Sequence, residues 1–323
     1  MKFGIFFKGV IMPTEPLIGF IPREIDSPDI KAVLEHIPSL IDEVVNYGSH
    51  VFKWGIDSIK AGDENIPAFL MYRNIFELID SISVMIRNSV VESCNILLRS
   101  LFESYLNYEY LFEKDFKSRG MDFLVCYRHK EIQSLRKFDP RDELHAQYEK
   151  LKARDNISRD IPSLAVPDVA ERIDNLKKIF ELPSYKDSSE EYERIRAANK
   201  GKPPKHWYSM RGGPKDACQL ADRLGFPAQY EILYRPLSEL VHGTDILKDK
   251  FTIEGPGLVS FLSLRMPADA PFVALMAITF GLAAIRILTK HYMPEKAKEN
   301  AGWYHKEIRD SYLNLNKIKI VIV

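Results

Sequence analysis

Apolar side chains recur at intervals of three and four residues over most of this chain, the spacing of one face of a helix. In "DIKAVLEHIPSLIDEVVNYGSHVFKWGIDSIK" the pattern runs through Val33, Leu34, Ile37, Leu40, Ile41, Val44 and Val45, with Gly48 as a break and Gly62 beyond the end. Asn65 reads as the cap of a helix beginning near Pro67, since Asn accepts from free amides and Pro suits a first turn. From Pro67 to about Lys117 the chain is helical in type and very apolar, with a joint at "RNS" (87–89), which predicts the structural heart there. A further helix covers "MDFLVCYRHKEIQSLRKF" and ends before Pro140.

Residues 139–205 are charged, poor in large aliphatics and rich in proline. They predict two amphipathic helices, at about 141–154 and 168–181, forming an inserted surface hairpin, then a flexible loop through "SYKDSSEEYERIRAANKGKPPKHW". The apolar pattern returns at "DACQLADRLGFPAQYEILYRPLSELVHG", followed by a turn-rich stretch, "IEGPGLVSFLSLRMP". The helix "DAPFVALMAITFGLAAIRILTKHY" is apolar on nearly every side and is expected in the core, and "PEKAKENAGWYHKEIRDSYLNL" packs outside it. Strand signals are confined to "FGIFF" and "IKIVIV", so the termini are expected to form a minor two-stranded pairing. The expected fold is therefore an all-α helical bundle: an N-terminal segment and helix over 1–64, then a helical domain over 65–323 with an insert at about 139–205.

Composition narrows the function classes. Lys plus Arg and Asp plus Glu each number 45, which argues against a broad electrostatic grip on nucleic acid and leaves only local basic patches. Cys94, Cys126 and Cys218 stand alone, without disulfide or zinc spacing, so a reducing cytosol is the simplest setting. The N-terminal segment reads poorly as a signal peptide, because Lys8 interrupts it and no small-residue cleavage site follows. The uncharged run from Ala270 to Ile285 is short for a membrane span, and no membrane partner is expected.

Two helical faces carry candidate chemistry. In "NSVVESCNILLRSLFESYLNYEYLF", Asn88, Asn95, Arg99 and Glu103 fall within about 60° of Glu92 around an otherwise greasy helix. Such a stripe is either a structural ladder, with Arg99 paired to Glu103 or Glu92, or one wall of a polar cavity. In "YRPLSELVHG", seven residues advance a helix by about 700°, so Arg235 and His242 share a face with Ser238 and Glu239. Pro236 lacks an amide donor and predicts a kink or a fresh helix start near Tyr234. His242 before Gly243 also suits an ordinary helix C-terminus, where imidazolium meets the negative end of the dipole.

These segments resemble a known family. "LLRSLFESYLNYEYLF" together with "HWYSMRGGPKDACQLADRLGFPAQYEILYRPLSELVHG" is similar to the bacterial domain-of-unknown-function family numbered fifty-six seventy-seven, over most of residues 65–290. Fold and motif also resemble the helical HEPN superfamily, whose nuclease members are metal-independent endoribonucleases using an Arg and a His separated by four to six residues. Arg235 and His242 enclose six, although Pro236 follows the arginine where a polar residue is common. The resemblance implies His242 as general base or acid, Arg235 as phosphate clamp and Ser238 as hydrogen-bond donor. It also implies RNA as partner, no cofactor, no metal, a homodimer with a composite site, and a toxin or phage-defence setting in which a partner or antitoxin protein could act.

Two further stretches suggest contacts. "GKPPKHWYSMRGGPK" interleaves Lys205 and Arg211 with Trp207 and Tyr208, a cation-plus-aromatic surface for single-stranded bases or simply a structural loop. "RHKEIQSLRK" is a solvated face or a contact for phosphates. Two other functions stay open: a non-catalytic HEPN-like protein binding a nucleotide or partner, and a metal-dependent hydrolase in which Glu92, Glu103 and His242 hold the ion.

Overall fold

The computed structural model describes residues 27–59, 61–161, 166–241, 251–255, 258–261 and 263–320. In chain order its helices are α1 (Pro28–Ser58), α2 (Ile66–Arg87), α3 (Val91–Glu113), α4 (Phe116–Arg136), α5 (Glu143–Lys152), α6 (Val169–Ile179) and α7 (Pro183–Ala198). There follow α8 (Ala217–Arg223), the single turn α9 (Pro227–Gln229), α10 (Arg235–Val241), α11 (Ala270–Tyr292), α12 (Ala297–Trp303) and α13 (Arg309–Asn314). One antiparallel hairpin, β1 (Phe251–Gly255) with β2 (Leu258–Phe261), pairs Phe251 with Phe261 and Ile253 with Val259.

Among the described residues the chain is all-α apart from that strand pair, which falls where only a turn-rich stretch is expected. The proposed pairing of the termini lies largely outside the described residues, and Ile318–Ile320 carry no strand. The joint predicted near residues 87–89 is present between α2 and α3.

α1, α2, α3 and α11 pack on one another and enclose the main core. The periodicity of α1 explains its place: Ile37, Ile41, Val44 and Val51 are fully buried on one stripe. Each such side chain contributes roughly 1.5–3 kcal/mol. Gly48 does not break this helix. Its missing side chain lets Phe76 approach, since an added Cβ would lie 2.1 Å from the ring, and the Tyr72 hydroxyl donates to its carbonyl at 2.9 Å. Asn65 stands at the start of α2 without a side-chain capping bond. Its Nδ2 donates to the Gly62 carbonyl and its Oδ1 accepts from Tyr292, so it joins α2 to the end of α11. α11 is long and apolar enough to cross a membrane by length and composition, yet more than half of it is buried by the protein itself.

The insert departs from expectation at one point. The stretch expected as a flexible loop contains α7, sixteen residues long. Tyr185, Ser188 and Tyr192 form its buried stripe against α4. Aromatic and small polar residues do here what large aliphatics do elsewhere. α6 adds a small second core, Val169 and Ile173 against Ile132 and Leu135 of α4.

Candidate functional site

The segment carrying Arg235 is shaped by Pro236. A proline in a helix removes one amide and crowds the carbonyl four residues back. The chain relieves this with a π-helical turn over Tyr230–Tyr234, in which the Arg235 amide donates to the Tyr230 carbonyl, and α10 continues from it at Arg235. Where a kink or a fresh helix start is expected near Tyr234, the helical run continues through this widened turn. It also stacks the rings of Tyr230 and Tyr234, 5.0 Å apart and 16° from parallel.

Tyr234 meets the other candidate segment. The Arg99 guanidinium lies 4.5 Å from the Tyr234 ring centroid, and its Nη2 donates to the Tyr234 hydroxyl at 3.1 Å. Such a contact is worth about 0.5–2 kcal/mol, more as water is excluded. The Nε of Arg99 is buried with no hydrogen-bond partner. Arg99 thus finds its partner in the later segment, 135 residues along the chain, rather than in the carboxylate four residues away on its own helix. Arg235, next to Tyr234, is exposed and ion-paired to Glu231 Oε2 at 3.1 Å. Ser238 is half-buried on α10. His242 lies outside the described residues, as do the side-chain surroundings of Glu239.

The rest of the polar stripe is divided. Glu92 is exposed in the first turn of α3, Asn95 is half-buried, and Glu103 lines a groove of about 660 Å³ between α2, α3 and α4. The floor of the groove is apolar, with Leu70, Met71 and Phe123, while Asn74, Ser104 and Asn107 edge it. The stripe is therefore not uniformly sheltered: the apolar residues flanking it are largely buried, but the N-terminal end of α3 is open. Eleven residues separate Glu92 from Glu103, about 16 Å along a helix, so the two cannot hold one ion. Among the described residues no group of three or more His, Cys, Asp or Glu could bind a metal.

The aromatic and basic loop also differs from a substrate surface. Trp207 and Tyr208 are buried, packed edge-on against Tyr110 with centroids 5.5 and 6.3 Å away. Trp207 Nε1 donates to Asn107 Oδ1 at 2.6 Å. Arg211, in the left-handed region at φ 52°, donates its Nε to Asp122 Oδ2 at 2.8 Å and its Nη2 to Asp187 Oδ2 at 2.6 Å. Lys205, like Lys202 and Lys215 of the same stretch, is exposed and has no side-chain ion pair among the described residues.

Sequence reasoning missed Asp122, which sits between Met121 and Phe123 and is 4% exposed. Burial pushes its carboxyl pKa up, against the opposing hydrogen bonds from Arg211 and Ser188. No local pattern marks it, because its partners come from α7 and the loop after it. In the basic run of α4, Arg128 pairs with Glu131 and Arg136 with Asp142. His129 stacks on Tyr192 at 3.8 Å and on Phe180 at 4.4 Å, and burial lowers its pKa to about 4.

Comparison with known families matches residues 65–255 to a family of unknown function, DUF5677. Neither the curated proteins nor the solved structures give a match. The matched span runs from the cap of α2 to the end of β1. It takes in α3, the insert and the segment bearing Arg235 and Ser238. It covers more than half of the 323 residues, and the chain therefore belongs to the DUF5677 family of unknown function.

Proposed function

We propose that this protein is a metal-independent, cytoplasmic endoribonuclease of HEPN type, acting through Arg235, Ser238 and His242 as a homodimer in a toxin or phage-defence setting. The observation that carries the reading is the Arg99–Tyr234 junction: the two segments on which the resemblance rests meet directly, with Arg235 exposed beside them. RNA supplies the nucleophile. His242 removes the proton of a 2′-hydroxyl, whose oxygen attacks the adjacent phosphorus while the 5′-oxygen leaves and takes up a proton. A 2′,3′-cyclic phosphate and a 5′-hydroxyl result. Arg235 releases Glu231, an exposed pair worth well under 1 kcal/mol, and stabilises charge on the phosphoryl oxygens. Ser238 donates to the same group. Arg99 positions Tyr234 and with it the start of α10.

One observation favours a second reading, a non-catalytic binding protein: the groove beside Glu103 is apolar-floored and of ligand size. Incubation with mixed RNA in excess chelator separates the readings. The wild type should cleave, leaving cyclic phosphate ends, and His242→Ala and Arg235→Ala should each lose about 10²–10⁴-fold. Cleavage that survives His242→Ala, or that requires a divalent ion, refutes the proposal. No cleavage by the wild type favours the binding reading.

A further inference from the structure

A second cavity, of about 670 Å³, opens between the C-terminal halves of α3 and α11 and the end of α8. None of its lining residues belongs to α10, so it is independent of the site above. We propose that it binds a small soluble phosphomonoester.

Arg286 and Lys290 stand four residues apart on α11 and so project from neighbouring positions on one helical face. Neither forms a salt bridge among the described residues. Across the cavity, Arg223 of α8 is held by Glu113, its Nη2 3.0 Å from Oε2. Glu113 is committed twice, since Arg119 Nη2 also donates to it at 2.7 Å. Burial acts to raise the Glu113 pKa, but the hydrogen bonds from Arg223 and Arg119 outweigh it and hold it low. That carboxylate is therefore already neutralised and does not offset Arg286 or Lys290.

The remaining acid, Glu109, hydrogen-bonds the Tyr105 hydroxyl and its Oε2 is buried without a partner; burial raises its pKa against the lowering effect of the nearby Arg286 charge. This single carboxylate faces two cations, Arg286 and Lys290, so the cavity keeps a positive excess. Burial lowers the pKa of His291, so the positive side of the cavity rests on Arg286 and Lys290.

The shape of the lining selects the ligand. A phosphomonoester carries close to two charges at neutral pH and three acceptor oxygens, which matches one guanidinium and one ammonium side by side. Phe112, Leu224 and Ile287 supply an apolar floor that an inorganic ion would leave uncovered and an organic group would fill. The His291 ring lies against Phe112 at 4.9 Å and extends that floor.

The test is calorimetric titration of the full chain with phenyl phosphate, inorganic phosphate and phenol. Phenyl phosphate should bind about tenfold more tightly than inorganic phosphate, and phenol not measurably. The doubly substituted Arg286→Met, Lys290→Met protein, with its fold checked by circular dichroism and thermal melting, should bind phenyl phosphate at least about tenfold more weakly. Should that double variant misfold, Arg286→Lys alone is informative, with a loss of several-fold expected as bidentate contact is removed. The proposal is overturned by no saturable binding up to about 10 mM ligand. It is equally overturned by affinity that is the same in the folded variants. Binding to phosphatidic acid vesicles without binding to the soluble probes would assign the cations to a membrane surface and reject the proposal too. Arg235→Ala should leave the titration unchanged, whatever it does to RNA.

Discussion

Arg211 offers a direct test of whether the loop after α7 is structural or meets a substrate. Arg211→Met keeps an unbranched, flexible stem and a non-glycine residue at the left-handed position, while removing the guanidinium with its charge and side-chain hydrogen bonds. What remains is Asp122, 4% exposed, with Ser188 Oγ at 2.6 Å as its surviving donor. Breaking a buried ion pair from one side costs about 3–5 kcal/mol. Arg211 is itself 35% exposed, so water can partly replace it, and roughly 2–4 kcal/mol is the expected loss at pH 7.5.

The pH dependence of this loss has a definite sign. Burial already raises the folded pKa of Asp122 above its ordinary value, so ionised Asp122 opposes folding at neutral pH and protonation favours it. Without Arg211 the pKa rises further. The deficit of the variant should therefore be largest above that raised pKa and should shrink as the pH falls toward 5. Urea denaturation of both proteins at pH 7.5 and 5 measures it, and Asp122→Asn added to Arg211→Met should recover half or more by removing the orphaned charge. A variant within about 0.5 kcal/mol of wild type at pH 7.5 would refute this account. If such a folded variant also lost RNA cleavage, Arg211 would be a substrate contact.

Two further predictions concern the packing of α4 and α12. His129 has a folded pKa of about 4 against an ordinary 6.5, so its neutral form stabilises the fold fully above about pH 6.5 and less as the pH falls toward 4. Discounted for its partial exposure, wild type should lose about 1–2 kcal/mol over that range that His129→Phe does not, and parallel stability–pH curves for the two would contradict the assignment. Gly120 and Gly302 both lie in helices but should respond to alanine with opposite signs. An added Cβ at Gly120 meets the Glu64 carbonyl oxygen at 2.5 Å and should cost about 1–3 kcal/mol, while at Gly302 it meets nothing within 4 Å and should gain up to about 1 kcal/mol, as thermal melts will report.

Much of the fold was legible in the order of side chains. The helical spacing of α1, α2 and α3 follows from burial of an apolar stripe, and α11 was recognisable as a core helix because it is apolar on nearly every side. The irregularity before Arg235 was legible because a proline acts on its own backbone. α7 was not, because its buried residues are two tyrosines and a serine, polar by composition and apolar only by what they pack against. The pairing of β1 with β2 was hidden for a similar reason, since a sequence rich in glycine and proline around it reads equally well as irregular chain.

The candidate site divides along the same line. Helical geometry alone put Arg99 on the face of Glu103, and Arg235 on the face of Ser238. Which residue each cation meets was a matter of tertiary structure: Arg99 goes to Tyr234, Arg211 to Asp122, and Trp207 and Tyr208 turn inward. The physical reason is range. Backbone hydrogen bonding and helix periodicity act over three or four residues and are written into neighbouring positions. The desolvation of a charge, by contrast, is relieved by whatever the packed elements bring within about 3 Å, and that is set by contacts such as that of Arg99 with Tyr234, 135 residues apart.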